Sequence, residues 1–275
     1  MRRYFGLISL VLCWAILLGV PELQNQNRRA WNWSTDQYPS FSPNEIQQIS
    51  ARKPNDPYWQ MRRFELSEAT QPSIESWKKT LQEHPNDETL RFYALNQIFY
   101  ASELFDESGE GGPRARKAPS EQYLLVALEI ARDGEKNNPR NSFYSWSRAI
   151  FLWGLKREDE AFRALEVAGN APDFDDGMWK ITRRDKRQVQ EIRYLSWDDK
   201  ISIQAAALLP HFASQRALAR QIIARGVNDY KKGDKKLAYQ KWETVLKAGR
   251  AMRVGQSSGD ASYIGLLVSH AIQHQ

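Results

Sequence analysis

The chain has 275 residues, of which 41% are hydrophobic and 26% charged, and a net charge of +6. That length buries one sizeable core or two closely packed ones, and the composition excludes a disordered chain. Cys13 is the one cysteine and stands inside an apolar run, which excludes disulfides, a catalytic thiolate and a cysteine-ligated metal from the rest of the chain.

Met1-Arg2-Arg3 precedes an uncharged run from Tyr4 to Val20, closed by Pro21-Glu22. As a helix that run reaches about 25 Å, slightly short of a bilayer core of about 30 Å. Residues 1–21 therefore read as a membrane anchor or a signal segment. The best cleavage position, after Gly19, places Leu17 where a small residue is wanted, and Leu12 before Cys13 disfavours lipidation. An uncleaved anchor is the preferred reading; a cleaved signal would make the protein secreted. Arg2 and Arg3 favour an inside N-terminus, with the bulk extracytoplasmic, although Arg28 and Arg29 weaken the asymmetry.

Residues 22–57 read as a linker, Gln/Asn-rich at first and then interrupted by Pro39, Pro43, Pro54 and Pro57. Residues 58–275 read as one helical domain, with no convincing strand alternation. The expected helices span 43–51, 57–67, 72–84, 87–104, 120–136, 142–155, 158–169, 174–195, 198–209, 211–231, 235–254 and 260–273. A polar Gly/Pro-rich insertion at 105–120 separates two of them. Pro85-Asn86-Asp87, Pro139-Arg140-Asn141 and Pro172-Asp173 repeat one punctuation, in which proline follows a helical run and a capping Asn or Asp comes after it.

Chemistry-bearing patterns are weak. His270 and His274 stand one helical turn apart without a third ligand, so a helix surface is preferred to a metal site. Asp173, Asp175 and Asp176 before Gly177 are one residue short of a calcium loop, and Arg184 holds the closing position. They read instead as acids favouring the next helix's N-terminus. In Gly109-Glu110-Gly111-Gly112-Pro113 the proline cannot donate an N–H to phosphate. Carboxylates are abundant but stand mostly beside Lys or Arg. No catalytic residue, metal site or cofactor is expected.

Basic residues bunch at Lys180–Arg193 and at Arg225–Arg253. A solvated helix face, an anionic lipid or polymer, and an acidic protein partner are all open, whereas nucleic acid is disfavoured for an exported chain.

The last strong pattern is Gly226-Val227-Asn228-Asp229-Tyr230-Lys231-Lys232-Gly233-Asp234, continued by Ala238 and Trp242. Gly226 and Ala238 let two helices approach, Gly233-Asp234 turns the chain, and Tyr230 and Trp242 fill the space around the contact. This stretch resembles one tetratricopeptide-type helical hairpin. Pro139 and Pro172 stand 33 positions apart, near the ~34 of such a repeat. The layout from Leu209 to Ile272 is similar to that of uncharacterised membrane-anchored helical bacterial proteins, a resemblance that implies no known activity.

The resemblance implies an all-α array of antiparallel hairpins whose concave face holds other proteins. Phe143, Trp146, Ile150 and Trp153 follow 3–4 spacing on one helix face, where plain packing is the simpler reading. With Ala161 in the role of the family's second-helix alanine, these four would line the groove. Arg220, Ile223, Val227 and Tyr230 would be their equivalents in the last hairpin. Val227 stands where a carboxylate-clamp repeat needs Asn, which disfavours capture of a C-terminal tail. The expected function is a membrane-tethered, non-catalytic scaffold or adaptor for an acidic protein partner. The alternatives are an envelope glycan-acting enzyme on a helical scaffold and an anionic lipid- or polymer-binding module.

Overall fold

A computed structural model describes residues 43–63, 71–101, 119–192, 194 and 210–254. The described residues are all-helical and contain no strand. In chain order the helices are α1 (Pro43–Arg52), α2 (Pro57–Arg63), α3 (Gln71–Glu83), α4 (Glu88–Ala101) and α5 (Glu121–Asn137). There follow α6 (Ser142–Gly154), α7 (Glu158–Asn170), α8 (Met178–Gln190), α9 (Pro210–Lys231) and α10 (Lys235–Val254). The helices expected at 198–209 and 260–273, the apolar run, the His270/His274 pair and most of the 105–120 insertion lie outside the described residues. Among the described residues, no helix is long and apolar enough to cross a membrane.

The starts follow from the punctuation. Asp56 accepts from the Tyr58 N–H at 3.0 Å, and Asp87 from the Leu90 N–H at 3.2 Å. Ser120 caps α5 by accepting from Tyr123 at 3.2 Å, and Asn141 caps α6 by accepting from Phe143 at 3.1 Å. Each side chain satisfies an amide that the first helical turn leaves without a partner. Helix α7 has no side-chain cap, but Glu158, Asp159 and Glu160 crowd its first turn, where the helix dipole favours negative charge.

The third punctuation behaves differently. Instead of starting a helix, Pro172–Gly177 lies back against the turn before α6. Asn141 and Asp173 form an isolated parallel bridge, the Ser142 N–H donates to the Asp173 carbonyl at 2.8 Å, and Asn141 Nδ2 donates to the Asp175 carbonyl at 2.7 Å. Helix α8 consequently begins at Met178 and not at the expected 174. Gly177 explains the delay. Its φ is +70°, outside the helical region, and a Cβ there would stand 2.1 Å from the Phe92 ring.

Helices α5, α6 and α7 pack side by side in chain order, and α10 packs on both α7 and α9. Helix α8 turns back onto α4, while α9 packs on α4 and α6. The core is aromatic where these elements meet. Phe92 stacks on Tyr144 at 5.4 Å, Phe99 on Phe151 at 5.2 Å, and Phe143 meets Phe174 edge-on at 6.1 Å. Gly134 on α5 makes room for this layer, because a Cβ there would fall 2.2 Å from the Tyr144 ring. Ile46 and Ile49 of α1 also belong to the core at 2% exposure, so the packed body begins by Pro43, inside the segment expected as linker. Their i, i+3 spacing supplies the apolar face that draws this short helix onto α2.

Candidate functional site

Among the described residues, the α9–α10 hairpin brings exposed aromatic side chains together on one surface. Helix α9 ends at Lys231, and the chain turns at Gly233, whose φ of +93° suits a residue without a Cβ. The Gly233 N–H reaches the Tyr230 carbonyl and the Asp234 N–H the Asp229 carbonyl, each at 3.0 Å. Asp234 then caps α10 by accepting from the Leu237 N–H at 3.1 Å. Ala238 is fully buried. Tyr239, the next residue, is turned about 100° around the helix and points outward; it is 58% exposed.

Three rings gather across this turn. Tyr230 stacks on Trp242 at 6.0 Å, Tyr239 meets Trp242 edge-on at 5.5 Å, and Tyr230 and Tyr239 are 6.3 Å apart. Trp242 is fixed by donating from Nε1 to the Ile223 carbonyl at 3.2 Å. Val227 continues the apolar surface at 38% exposure, and Tyr230 is 41% exposed. Lys231, Lys232, Lys235 and Lys236 are exposed around the turn. The Lys235 ammonium sits 5.5 Å from the Tyr230 ring centroid, a cation–π contact that leaves its outer hydrogens to solvent or a partner. None of these four lysines forms an ion pair among the described residues. This surface therefore sets rigid amphipathic rings beside cations.

The eight residues expected to line a groove divide into two groups. Ile223, Val227 and Tyr230 stand on or beside the hairpin surface, and Arg220 is exposed on the same helix. Phe143, Trp146 and Ile150 are fully buried and Trp153 is 8% exposed, all four within the core. They offer a partner no contact area, so their 3–4 spacing marks packing. The reason is that α6 is enclosed by α5, α7 and α9. Trp153 Nε1 donates to the Gln221 side chain, which ties α6 to α9. Tyr239 was missing from the expected set; its place directly after a buried small residue is the signal that would have found it.

Two buried polar clusters were also invisible. His211 is fully buried, with Nδ1 3.1 Å from Asn96 Oδ1 and Nε2 3.4 Å from Asp176 Oδ2. The rings of Phe99, Phe143 and Phe174 surround it at 5.3–6.3 Å. Asn96 Nδ2 donates to the Phe92 and Asp176 carbonyls, both at 2.9 Å. The cluster thus joins α4, α9 and the loop before α8. The second cluster joins α2 to α8: Asp185 accepts from the Tyr58 hydroxyl at 2.7 Å and pairs with Arg62 at 3.1 Å. Burial pushes the Asp185 carboxyl above its ordinary range, against the opposing pull of the Arg62 guanidinium, the Tyr58 hydroxyl and Arg184. In both clusters the acid and base groups spend their geometry on one another, as structural clamps do.

The three aspartates before Gly177 serve the turn. Asp175 accepts from the Gly177 N–H at 2.8 Å, and Asp176 from the Met178 N–H at 3.0 Å at the start of α8. Asp175 also pairs with Lys180 at 2.8 Å. No group of side chains with metal-holding geometry occurs among the described residues.

No protein family, curated protein or solved structure matches this chain.

Proposed function

We propose that this protein is a non-catalytic interaction scaffold or adaptor, tethered to a membrane by its N-terminal apolar run, with its bulk on the extracytoplasmic side. The α9–α10 hairpin is the element that engages the partner. The observation that carries this reading is the Tyr230–Tyr239–Trp242 cluster, with both tyrosines exposed, beside four lysines that form no ion pair among the described residues. Burying two tyrosines and a tryptophan edge supplies affinity, and the lysines select an acidic segment and speed its approach. The resemblance of this hairpin to a tetratricopeptide unit supports the same role. The partner's segment would lie along α9, with apolar side chains against Val227 and the ring cluster.

The experiment is a binding measurement on the full chain with the partner recovered from its own membrane. Tyr230→Ala and Tyr239→Ala together should weaken binding at least 30-fold, since two anchor positions at about 1–2 kcal/mol each are removed. Raising salt should weaken it further through the lysine contribution. Unchanged affinity in the double variant would sink this reading.

A further inference from the structure

Helix α8 presents a second surface of different chemistry. Its inner face, Ile181, Thr182 and Asp185, is buried against the body. Its outer face carries Trp179, Arg183 and Arg187 at positions i, i+4 and i+8, one row along the helix. All three are exposed, Trp179 at 57%. Of the other cations of the helix, Lys186 is half-buried, and Lys180 and Arg184 are already engaged. Lys180 bridges Glu88 at 2.9 Å and Asp175 at 2.8 Å, and Arg184 binds Asp56 at 2.6 Å while covering the Tyr58 ring at 4.3 Å. Arg183 has only the Trp179 ring, 5.9 Å away, and neither Arg183 nor Arg187 forms an ion pair among the described residues. The only acid of the helix, Asp185, faces inward. Glu191, one turn beyond Arg187, is paired with Lys53 at 3.1 Å, so the outer row keeps a net positive charge. It borders an open cavity of about 390 Å³ lined by Trp179, Lys180, Arg183, Arg184, Arg187 and Gln188, large enough for a small anionic headgroup.

We propose that this face docks on the phosphate headgroups of an anionic lipid bilayer. Guanidinium groups match phosphate oxygens through paired N–H donors, and an exposed indole favours the boundary between headgroups and acyl chains. The chain's own layout points to a bilayer in preference to a soluble acid. The C-terminal end of α8 is tied to α1, where Lys53 pairs with Glu191 at 3.1 Å and Arg52 donates to the Glu191 carbonyl at 3.4 Å. Helix α1 begins 23 positions after Val20, the end of the apolar run. Whatever their conformation, 23 residues span at most about 80 Å. A tether of that reach holds the α8 face close to the bilayer and raises its effective concentration there. The docking rests on the proposed tether for that reach alone.

The test uses the full chain carrying Cys13→Ser and Gln190→Cys, with a fluorophore at 190, added to vesicles that contain a headgroup quencher. Vesicles of phosphatidylglycerol should quench the fluorophore, and vesicles of phosphatidylcholine should not. Arg183→Gln with Arg187→Gln should lower the docked-to-undocked ratio on phosphatidylglycerol by about 25-fold, fivefold for each charge. Neither arginine has an ion pair to lose among the described residues, so the double variant should fold normally. A chain that fails to bind neutral vesicles, yet shows this arginine-dependent quenching, would refute the tether and keep the docking. Quenching that is absent on phosphatidylglycerol, or that survives in the double variant, would overturn the docking. Tighter arginine-dependent binding of poly-glutamate than of the vesicles would overturn it in favour of an acidic protein.

Discussion

Gly226 lies against the indole of Trp242 so closely that a Cβ at 226 would stand 2.5 Å from Nε1. The same nitrogen donates to the Ile223 carbonyl one turn earlier in α9. Gly226 therefore sets the separation of α9 and α10 and, through Trp242, the position of the whole ring cluster. Gly226→Ala should cost about 1–3 kcal/mol in overpacking, offset in part by about 1 kcal/mol of helix propensity. A lowered urea midpoint and weaker partner binding should appear together in this variant. A raised midpoint would contradict the tight approach.

Asn96 is the hinge of the cluster that joins α4, α9 and the loop before α8. Replacing it with Ala removes two hydrogen bonds to carbonyls and the acceptor beside His211 Nδ1. Each buried polar group left without its partner costs about 1–3 kcal/mol. Asn96→Ala should thus destabilise strongly in denaturant titration, although the residue is not part of the proposed binding surface.

Arg62 sits among Tyr58, Trp59 and Tyr93, each ring centroid 5.5 Å away, with Asp185 as its counter-ion. Asp185→Ala should cost about 3–5 kcal/mol because a buried charge loses its compensation. Arg62→Met with Asp185→Leu should recover most of that loss in the same measurement. Equal instability of the single and double variants would show that the pair is held for its charge and not merely tolerated.

Glu88 connects α4 to the α5–α6 turn and to α8, accepting from Asn138 at 2.8 Å and Lys180 at 2.9 Å. Burial works to raise its pKa, but the bonds from Asn138 and Lys180 win and hold it below the usual 4.5. A depressed folded pKa means that the stabilisation is complete above the unfolded pKa. It is lost as pH falls from about 4.5 through the folded value. Acid titration of stability should show this loss, and Glu88→Gln should flatten the profile in that window. An identical acid profile in the variant would contradict the assignment.

The helices were legible because their starts carry local chemistry. Asp87, Asn141 and Asp234 each cap the helix that their position after a Pro or Gly announces. The start of α8 was misjudged because Gly177 answers to Phe92, a residue far away in sequence. The burial of Phe143, Trp146, Ile150 and Trp153 escaped the sequence for a related reason. A 3–4 aromatic stripe cannot distinguish one covered face from a helix covered all round. Helix α6 was the second kind, and its own sequence said so: Arg148 is its single charge, and a helix apolar on every side is a buried one. The clamps at Tyr58–Asp185 and Asn96–His211 span 127 and 115 positions and leave no local trace. The hairpin surface was read best, since Gly226, Tyr230, Gly233 and Trp242 are close in sequence and act on one another directly.

The central claim is that the α9–α10 hairpin, and not some other exposed apolar position, meets the partner. A photo-crosslinking residue placed at Tyr239 tests it in cells, with Leu125 on α5, 41% exposed, as the control. One discrete protein adduct should form from position 239, absent from position 125 and abolished by Tyr230→Ala with Lys231, Lys232, Lys235 and Lys236 changed to Gln. The same adducts from both positions, or an adduct at 239 that survives those changes, would contradict it.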